Sequence, residues 1–324
     1  LDARRFLTQI QADLDRGRYV DPRAGQRTLA DFWETWVRIQ PWRNGTRARQ
    51  VSVWSNWVAP TFAERPLVSI NRSDVQAWLA TLTGRLAAST VEGTFRLLCA
   101  VLRAAQHDGL IGRSPCDGVR LPRREGVLRE PLTILEVEEL AEAIRPELRA
   151  AVLFDAMTGL RQGELFGLTE DRLRLLRREV VVDRQLVTPQ AGDTRFGPTK
   201  TSRSVRVVPL TDRACEIVAE HLDRFPPEQG WVFHRDGVPW RKQRASAAIR
   251  AVGGRWHDLR RHAASVLIRD GASVTAVAAA LGHSPAECLR TYAGWWPEEG
   301  DVVRRAMEKA WGVLPESRPV AESR

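Results

Sequence analysis

Between Pro115 and Pro131 the chain reads PCDGVRLPRREGVLREP, and this stretch constrains the fold more than any other. Its prolines lack a backbone N–H and its glycines favour neither helix nor strand, so neither element runs through it. It therefore reads as a basic interdomain linker, and 324 residues are more than one hydrophobic core usually serves. The two sides of the break carry different periods. From Thr28 to about Gly118, apolar residues recur at helical spacing over 28–39, 46–58, 70–82 and 88–108, separated by PWRNG, APTFAERP and TGRLA. Ser69 ahead of Asp74 and Ser89 ahead of Glu92 are the candidate helix-start signals. Beyond the break, LTILEVEELAEAI and ELRAAVLFDAMTGLRQGELFGL continue as helices. The period then changes: EVVVDRQLV (179–187) and RSVRVVPL (203–210) are β-rich runs around the glycine-bearing TPQAGDTRFGPTKTS, which predicts one short antiparallel sheet. Helices return at 212–223 and from 240 to DVVRRAMEKAW, before a polar tail.

The expected class is thus mainly α with a small antiparallel β-sheet. An all-α module over 28–118 precedes a linker at 119–130, an α+β domain over 131–312 and a tail at 313–324. Residues 1–20 carry Phe6, Leu7, Ile10 and Leu14 on one helical face, and VDPRAGQ then breaks the pattern. The sequence opens on Leu1, as expected of a trimmed or processed chain.

Charge narrows the class of partner. Lys and Arg total 49 against 40 Asp and Glu, a formal net charge of +9 that favours a polyanion, nucleic acid before an anionic membrane. No apolar run is long enough for a membrane span and no secretory signal opens the chain. Cys99, Cys116, Cys215 and Cys288 show no zinc spacing and fit unpaired thiols of a reducing cytoplasm. Twelve tryptophans are many, but pairs such as Trp33/Trp36 and Trp54/Trp57 stand at i, i+3, the spacing of a core stripe rather than a base-stacking platform.

The cations cluster around polar residues suited to phosphate chemistry. Arg195, Lys200, Arg203 and Arg206 fall between Thr194 and Leu210 with no acid among them. Arg241, Lys242, Arg244, Arg250, Arg255, Arg260 and Arg261 follow with Asp258 alone to oppose them. TGLRQGEL puts Arg161 three residues before Glu164, which by itself also fits a surface salt bridge. Lys200 sits at the tip of a predicted hairpin, HDLRRHAAS sets His257 one helical turn from Arg260, and LGHSPAECLRTY carries His283 toward Tyr292. Gly282 is expected to stop the helix VTAVAAAL, and PAECLRTY to form a second short one.

Taken in order, TGLRQGEL, TKTSRSVRVVPL, HDLRRHAAS, LGHS and TY resemble the tyrosine recombinases, and within them the phage and integrative-element integrases. The resemblance spans about 120–312, and the helical module at 28–118 fits that family's core-binding domain. It implies Tyr292 as the nucleophile that forms a 3′-phosphotyrosyl link, Arg161 and Arg260 as the clamp on the phosphate oxygens, and Lys200 as the proton donor to the leaving 5′-oxygen. His257 is the implied acid/base partner, His283 a hydrogen-bond donor to the phosphate, and Glu164 the supporting carboxylate. Arg203, Arg241, Lys242 and Arg244 are further DNA-contact candidates. The implied partners are double-stranded DNA attachment sites and further copies of the chain, as a tetramer on DNA. An excisionase or DNA-bending protein is a candidate accessory; no cofactor, metal or membrane is implied. A topoisomerase of the relaxing type and a DNA-binding regulator with a decayed site share parts of this pattern. Two departures stand out: Arg261 and His262 follow the His257/Arg260 pair where many members have His-Thr, and residues 1–27 resemble only the end of an arm-type DNA-binding domain.

Overall fold

The computed structural model describes residues 24–122, 130–187, 195–198 and 204–296, with 304, 307–309 and 311. Its chain divides into two compact units, Leu1–Val127 and Leu128–Arg324. The expected N-terminal helix with Tyr19, the centre of the linker, the polar tail, and both Lys200 and Arg203 lie outside the described residues.

The described part of the first unit is helical: α1 Leu29–Ile39, α2 Asn44–Val53, α3 Ala59–Phe62, α4 Arg72–Thr83 and α5 Ala88–His107. The predicted 46–58 helix is α2 continuing through a wider π turn at Trp54–Val58 into α3. Pro60, which has no N–H to donate, follows directly on this π turn, where the Ala59 N–H bonds five residues back to the Trp54 carbonyl. Indole rings fill the core. Trp33 stacks on Trp54 with centroids 4.4 Å apart, Trp36 tilts against Trp33, and Phe62 meets Trp78 edge-on. Trp57 is half-buried and lends its carbonyl to Trp78 Nε1 at 3.0 Å. These contacts make the tryptophans core residues, with each aromatic pair adding about 0.5–1.5 kcal/mol beyond its area burial.

Both expected helix-start signals are displaced. Helix α4 is capped by Asn71, whose side chain accepts the Asp74 N–H while the Asp74 carboxylate accepts the Asn71 N–H. That reciprocal box requires a three-residue spacing, and Ser69 is five residues away; its hydroxyl donates to the Pro66 carbonyl instead. Ser89 lies inside α5, which starts after Ala87 without a side-chain cap.

The second unit is built on α7 (Pro146–Thr158), which packs against α6 (Ile134–Ala143), α9 (Asp212–Arg224) and α11 (Trp256–Arg269). Further helices of this unit are α8 (Gln162–Leu165), α10 (Lys242–Ala251), α12 (Val274–Leu281) and α13 (Pro285–Tyr292). In place of one expected sheet, the described residues form two larger ladders and a small hairpin. Strands β1 (Leu173–Arg174), β2 (Glu179–Val182) and β5 (Arg206–Pro209) pair in the order β1-β2-β5, with Val180 opposite Val208. Among the described residues, strand β3 (Arg184–Val187) pairs only with β4 (Arg195–Pro198). The run 179–187 changes partner at Asp183, a poor strand former whose carboxylate accepts from Arg172 Nε at 2.9 Å. Strand β4 escapes sequence reading because RFGP contains Gly and Pro, both depleted in strands. The β6 (His234–Arg235) and β7 (Val238–Pro239) hairpin is too short to leave a period.

All four cysteines are unpaired. Among the described residues no helix is long and apolar enough to cross a membrane.

Candidate active site

Four places in the second unit converge: the α7–α8 junction, the start of β5, α11, and the α12–α13 junction. Helix α7 ends at Gly159 with φ +60°, a left-handed conformation that suits glycine. A Cβ there would stand 2.6 Å from Leu281 Cδ2 and 3.1 Å from Ala263 Cβ, so the missing side chain also lets α7 close on α11 and α12. Arg161 follows as the N-cap of α8. Its backbone N–H donates to Glu164 Oε2 at 3.0 Å, and its Nη1 donates to Glu164 Oε1 at 2.9 Å and Ser204 Oγ at 3.1 Å. Nη2 donates to the Gly282 carbonyl at 2.7 Å. The Glu164 carboxylate is almost fully buried, so this pair is not the surface salt bridge its spacing also allowed. Burial alone would raise the Glu164 carboxyl, but the charges and hydrogen bonds of Arg206 and Arg161 outweigh it and hold the group below the usual range.

Arg260 enters from α11 and is 3% exposed. Its Nη1 donates to the Gly159 carbonyl, and its Nη2 donates to the Leu281 carbonyl at 2.6 Å and to His283 Nε2 at 2.8 Å. Burial, then the neighbouring charge of Arg161, lowers its pKa to about 10, which leaves it a cation at neutral pH. A guanidinium has no acceptor, so His283 Nε2 must accept and the ring proton must sit on Nδ1. Burial and the charges of Arg260, Arg161 and Arg206 lower His283 to about 4, consistent with a neutral ring. Its Nδ1 is buried without a partner.

Tyr292, the last residue of α13, is 1% exposed. Its ring stacks on Trp295 at 5.1 Å and faces His283 at 6.1 Å. The hydroxyl is buried with no well-formed hydrogen bond. Burial raises its pKa, while the charge of nearby Arg260 pulls the other way. The everyday arrangement of a surface tyrosine, with its hydroxyl in water, is absent.

His257 stands one turn before Arg260 but is exposed. Crowding by protein around its ring, then the charges of Arg261 and Arg260, lowers its pKa. His262 is a core residue, with Nδ1 against the Leu132 carbonyl at 2.7 Å. Of the DNA-contact candidates, Arg241 is the half-buried N-cap of α10, and Lys242 and Arg244 are exposed in its first turn. The Lys242 carbonyl and Ser246 Oγ both accept from Gln162 Nε2 at 3.1 Å, which ties this end of α10 to α8. Among the described residues no group of three or more His, Cys, Asp or Glu side chains could hold a metal.

Two members of the site are given no role by the sequence reading: Arg206, named there only as part of a basic run, and Ser204. Arg206 Nη2 donates to Glu164 Oε2 at 3.0 Å, beside the Arg161 contacts. A signal existed. In β5, Arg206 and Val208 point inward while Val207 is exposed, and a cation on the buried face of a strand asks for a buried anion.

Comparison with known proteins fits this geometry. Residues 131–295 match the Phage integrase family. The chain is 27% identical over 312 residues to the phiRv2 prophage integrase of Mycobacterium tuberculosis, covering 90% of this chain and 82% of that protein. In fold it is similar to the Tn1549 transposon integrase solved in complex with transposon right end DNA, with a TM-score of 0.74 at 19% identity over 87% of this chain and 99% of that one. It is also similar to lambda integrase in a tetramer bound to a Holliday junction, with a TM-score of 0.65 at 17% identity over 90% and 86% of the two chains. The chain belongs to the phage integrase family of tyrosine recombinases, enzymes of site-specific DNA recombination for mobile elements.

Proposed function

We propose that this chain cuts and rejoins DNA at the attachment sites of a mobile element, with Tyr292 as the nucleophile. The observation that carries the reading is the convergence of Tyr292 and neutral His283 on the Arg161 and Arg260 guanidiniums. In the forward step Tyr292 Oη bonds to the scissile phosphorus, and the bond from phosphorus to the 5′-oxygen breaks. The phenolic proton passes to His257, and Lys200 protonates the departing 5′-oxygen. Arg161 and Arg260 keep N–H donors beyond those used on protein carbonyls, and these meet the non-bridging oxygens as charge accumulates. The Nδ1–H of His283 supplies a further donor. A phenolate is a good leaving group, so a 5′-hydroxyl from another strand reverses the step and the ester energy is retained. On this account neither ATP nor a metal ion takes part.

The same reading assigns 28–118 to a core-binding domain and 131–312 to the catalytic domain, joined by the basic segment 119–130. Residues 1–27 would be the end of an arm-binding domain and 313–324 a polar tail. Both domains contact duplex DNA, with Arg203, Arg241, Lys242 and Arg244 on its backbone. Recombination is carried out by a tetramer in the bacterial cytoplasm, with an excisionase or DNA-bending protein as accessory. The DNA complexes and the tetramer among the structural relatives support duplex DNA and a tetramer as the partners.

A nicked duplex carrying the attachment site tests the reading, because cleavage releases a short strand and traps the enzyme. A covalent adduct at Tyr292 is expected. No adduct would leave a DNA-binding regulator, and an adduct without strand exchange between duplexes would leave a relaxing enzyme.

A further inference from the structure

The end of α12 shows a pattern that the proposed chemistry does not use directly. Its last carbonyls have no partner within the helix and carry the negative end of its dipole. Three successive ones are each taken by a different arginine. Arg206 Nε donates to the Ala280 carbonyl at 2.8 Å, Arg260 Nη2 to Leu281 at 2.6 Å, and Arg161 Nη2 to Gly282 at 2.7 Å. Gly282 has φ +64°, and a Cβ on it would stand 3.0 Å from Arg206 Nη1 and 3.3 Å from Arg161 Nη1. The bare backbone at Gly282 lets the guanidiniums approach this closely.

Resting on the recombinase reading above, we propose that Arg206 is a positioning residue that sets Arg161 for the phosphate through Glu164. All three of its nitrogens are engaged by protein. Nε holds Ala280, Nη1 holds the Ser204 carbonyl at 3.0 Å, and Nη2 holds Glu164 Oε2 at 3.0 Å. Glu164 in turn receives the Arg161 backbone N–H on that same oxygen and Arg161 Nη1 on the other. Ser204 closes a second route, since its hydroxyl accepts from Arg161 Nη1. Arg206 therefore fixes both acceptors that orient Arg161, and it anchors them to the helix end that also receives Arg161 and Arg260. A planar fork meets three acceptors at once; a lysine ammonium in the same place keeps the charge and loses the geometry.

The test is single-turnover adduct formation on the nicked attachment-site duplex, with DNA affinity and thermal unfolding measured in parallel. Arg206→Lys is expected to slow adduct formation by about 10²-fold, the scale of a misplaced catalytic group, with unchanged DNA affinity. Placed on an Arg161→Lys background it should slow the reaction by less than about threefold more, because both changes remove one coupled function. A role confined to packing would multiply the two losses. If Arg206→Lys fails to fold, Glu164→Gln breaks the same link and carries the test, with a comparable loss expected. A rate equal to the unsubstituted protein in the folded variant, or fully multiplying losses, overturns the proposal alone. Absence of any adduct from the unsubstituted protein overturns the functional reading, and this proposal with it.

Discussion

The first unit and the α11–α13 region of the second solve the problem of buried polar atoms in opposite ways. Among the described residues of the first unit, Trp78, Thr94 and Ser114 are buried and each has a hydrogen-bond partner, and no buried side-chain polar atom is left without one. The second unit buries unpartnered atoms on Asp155, Asp183, Arg184, Trp240, His283 and Tyr292. Each such group costs about 1–3 kcal/mol. Two of them, His283 Nδ1 and the Tyr292 hydroxyl, lie beside the arginine pair. The difference teaches that the first unit satisfies its buried polar groups, whereas the second leaves several unsatisfied, two of them beside the arginine pair.

The largest expected effect is on the aromatic side of this contrast. Trp54→Ala should destabilise the first unit by about 3–5 kcal/mol in urea unfolding; a loss under about 1 kcal/mol would break the claim that stacked indoles carry its core. On the other side, Arg260→Lys should slow adduct formation by about 10²–10³-fold, or about 2.7–4 kcal/mol, as loss of a transition-state donor does. Retained cleavage would mean that the buried arginine serves packing alone.

Asp155 sharpens the comparison because the proposed mechanism makes no use of it. Its carboxyl is fully buried, both oxygens lack partners, and burial raises its pKa well above the usual 3.8. The folded state therefore keeps the proton while the unfolded chain ionises above about pH 3.8, so Asp155 weakens the fold as pH rises from there. Asp155→Leu should raise stability at pH 7 by about 1–3 kcal/mol, and the gain should shrink as pH falls toward 3.8. A destabilised variant at pH 7 would show that this carboxyl has a partner role.

A smaller effect belongs to His283. Its pKa falls from 6.5 to about 4 on folding, so the unfolded chain binds a proton that the folded site refuses. Stability should decline as pH drops from about 6.5 to about 4 and then level, by on the order of 1 kcal/mol after allowance for partial exposure. His283→Gln should flatten that part of the profile; an unchanged slope would assign it to other groups.

Much of this contrast was legible in the sequence because it depends on period and punctuation. Helices α1, α4 and α5 fall where apolar spacing puts them, and Gly282 ends α12 as expected. What escaped depends on tertiary partners. No local signal tells that the 179–187 run changes partner at Asp183 or that RFGP pairs as a strand. The order of polar motifs named Arg161, Glu164, Arg260, His283 and Tyr292 as candidates, and these gather in the described structure. The role of Arg206 escaped because it depends on Glu164, 42 residues away and buried against it.

The most direct test of the contrast is Tyr292→Phe, assayed for adduct formation on the nicked duplex and for its thermal midpoint. The hydroxyl makes no well-formed hydrogen bond in the folded protein, so its removal should leave the midpoint unchanged or slightly higher while abolishing the adduct. A persisting adduct would contradict the assignment of the nucleophile. A midpoint several degrees lower, corresponding to more than about 1 kcal/mol, would contradict the claim that this group is kept for chemistry at the expense of stability.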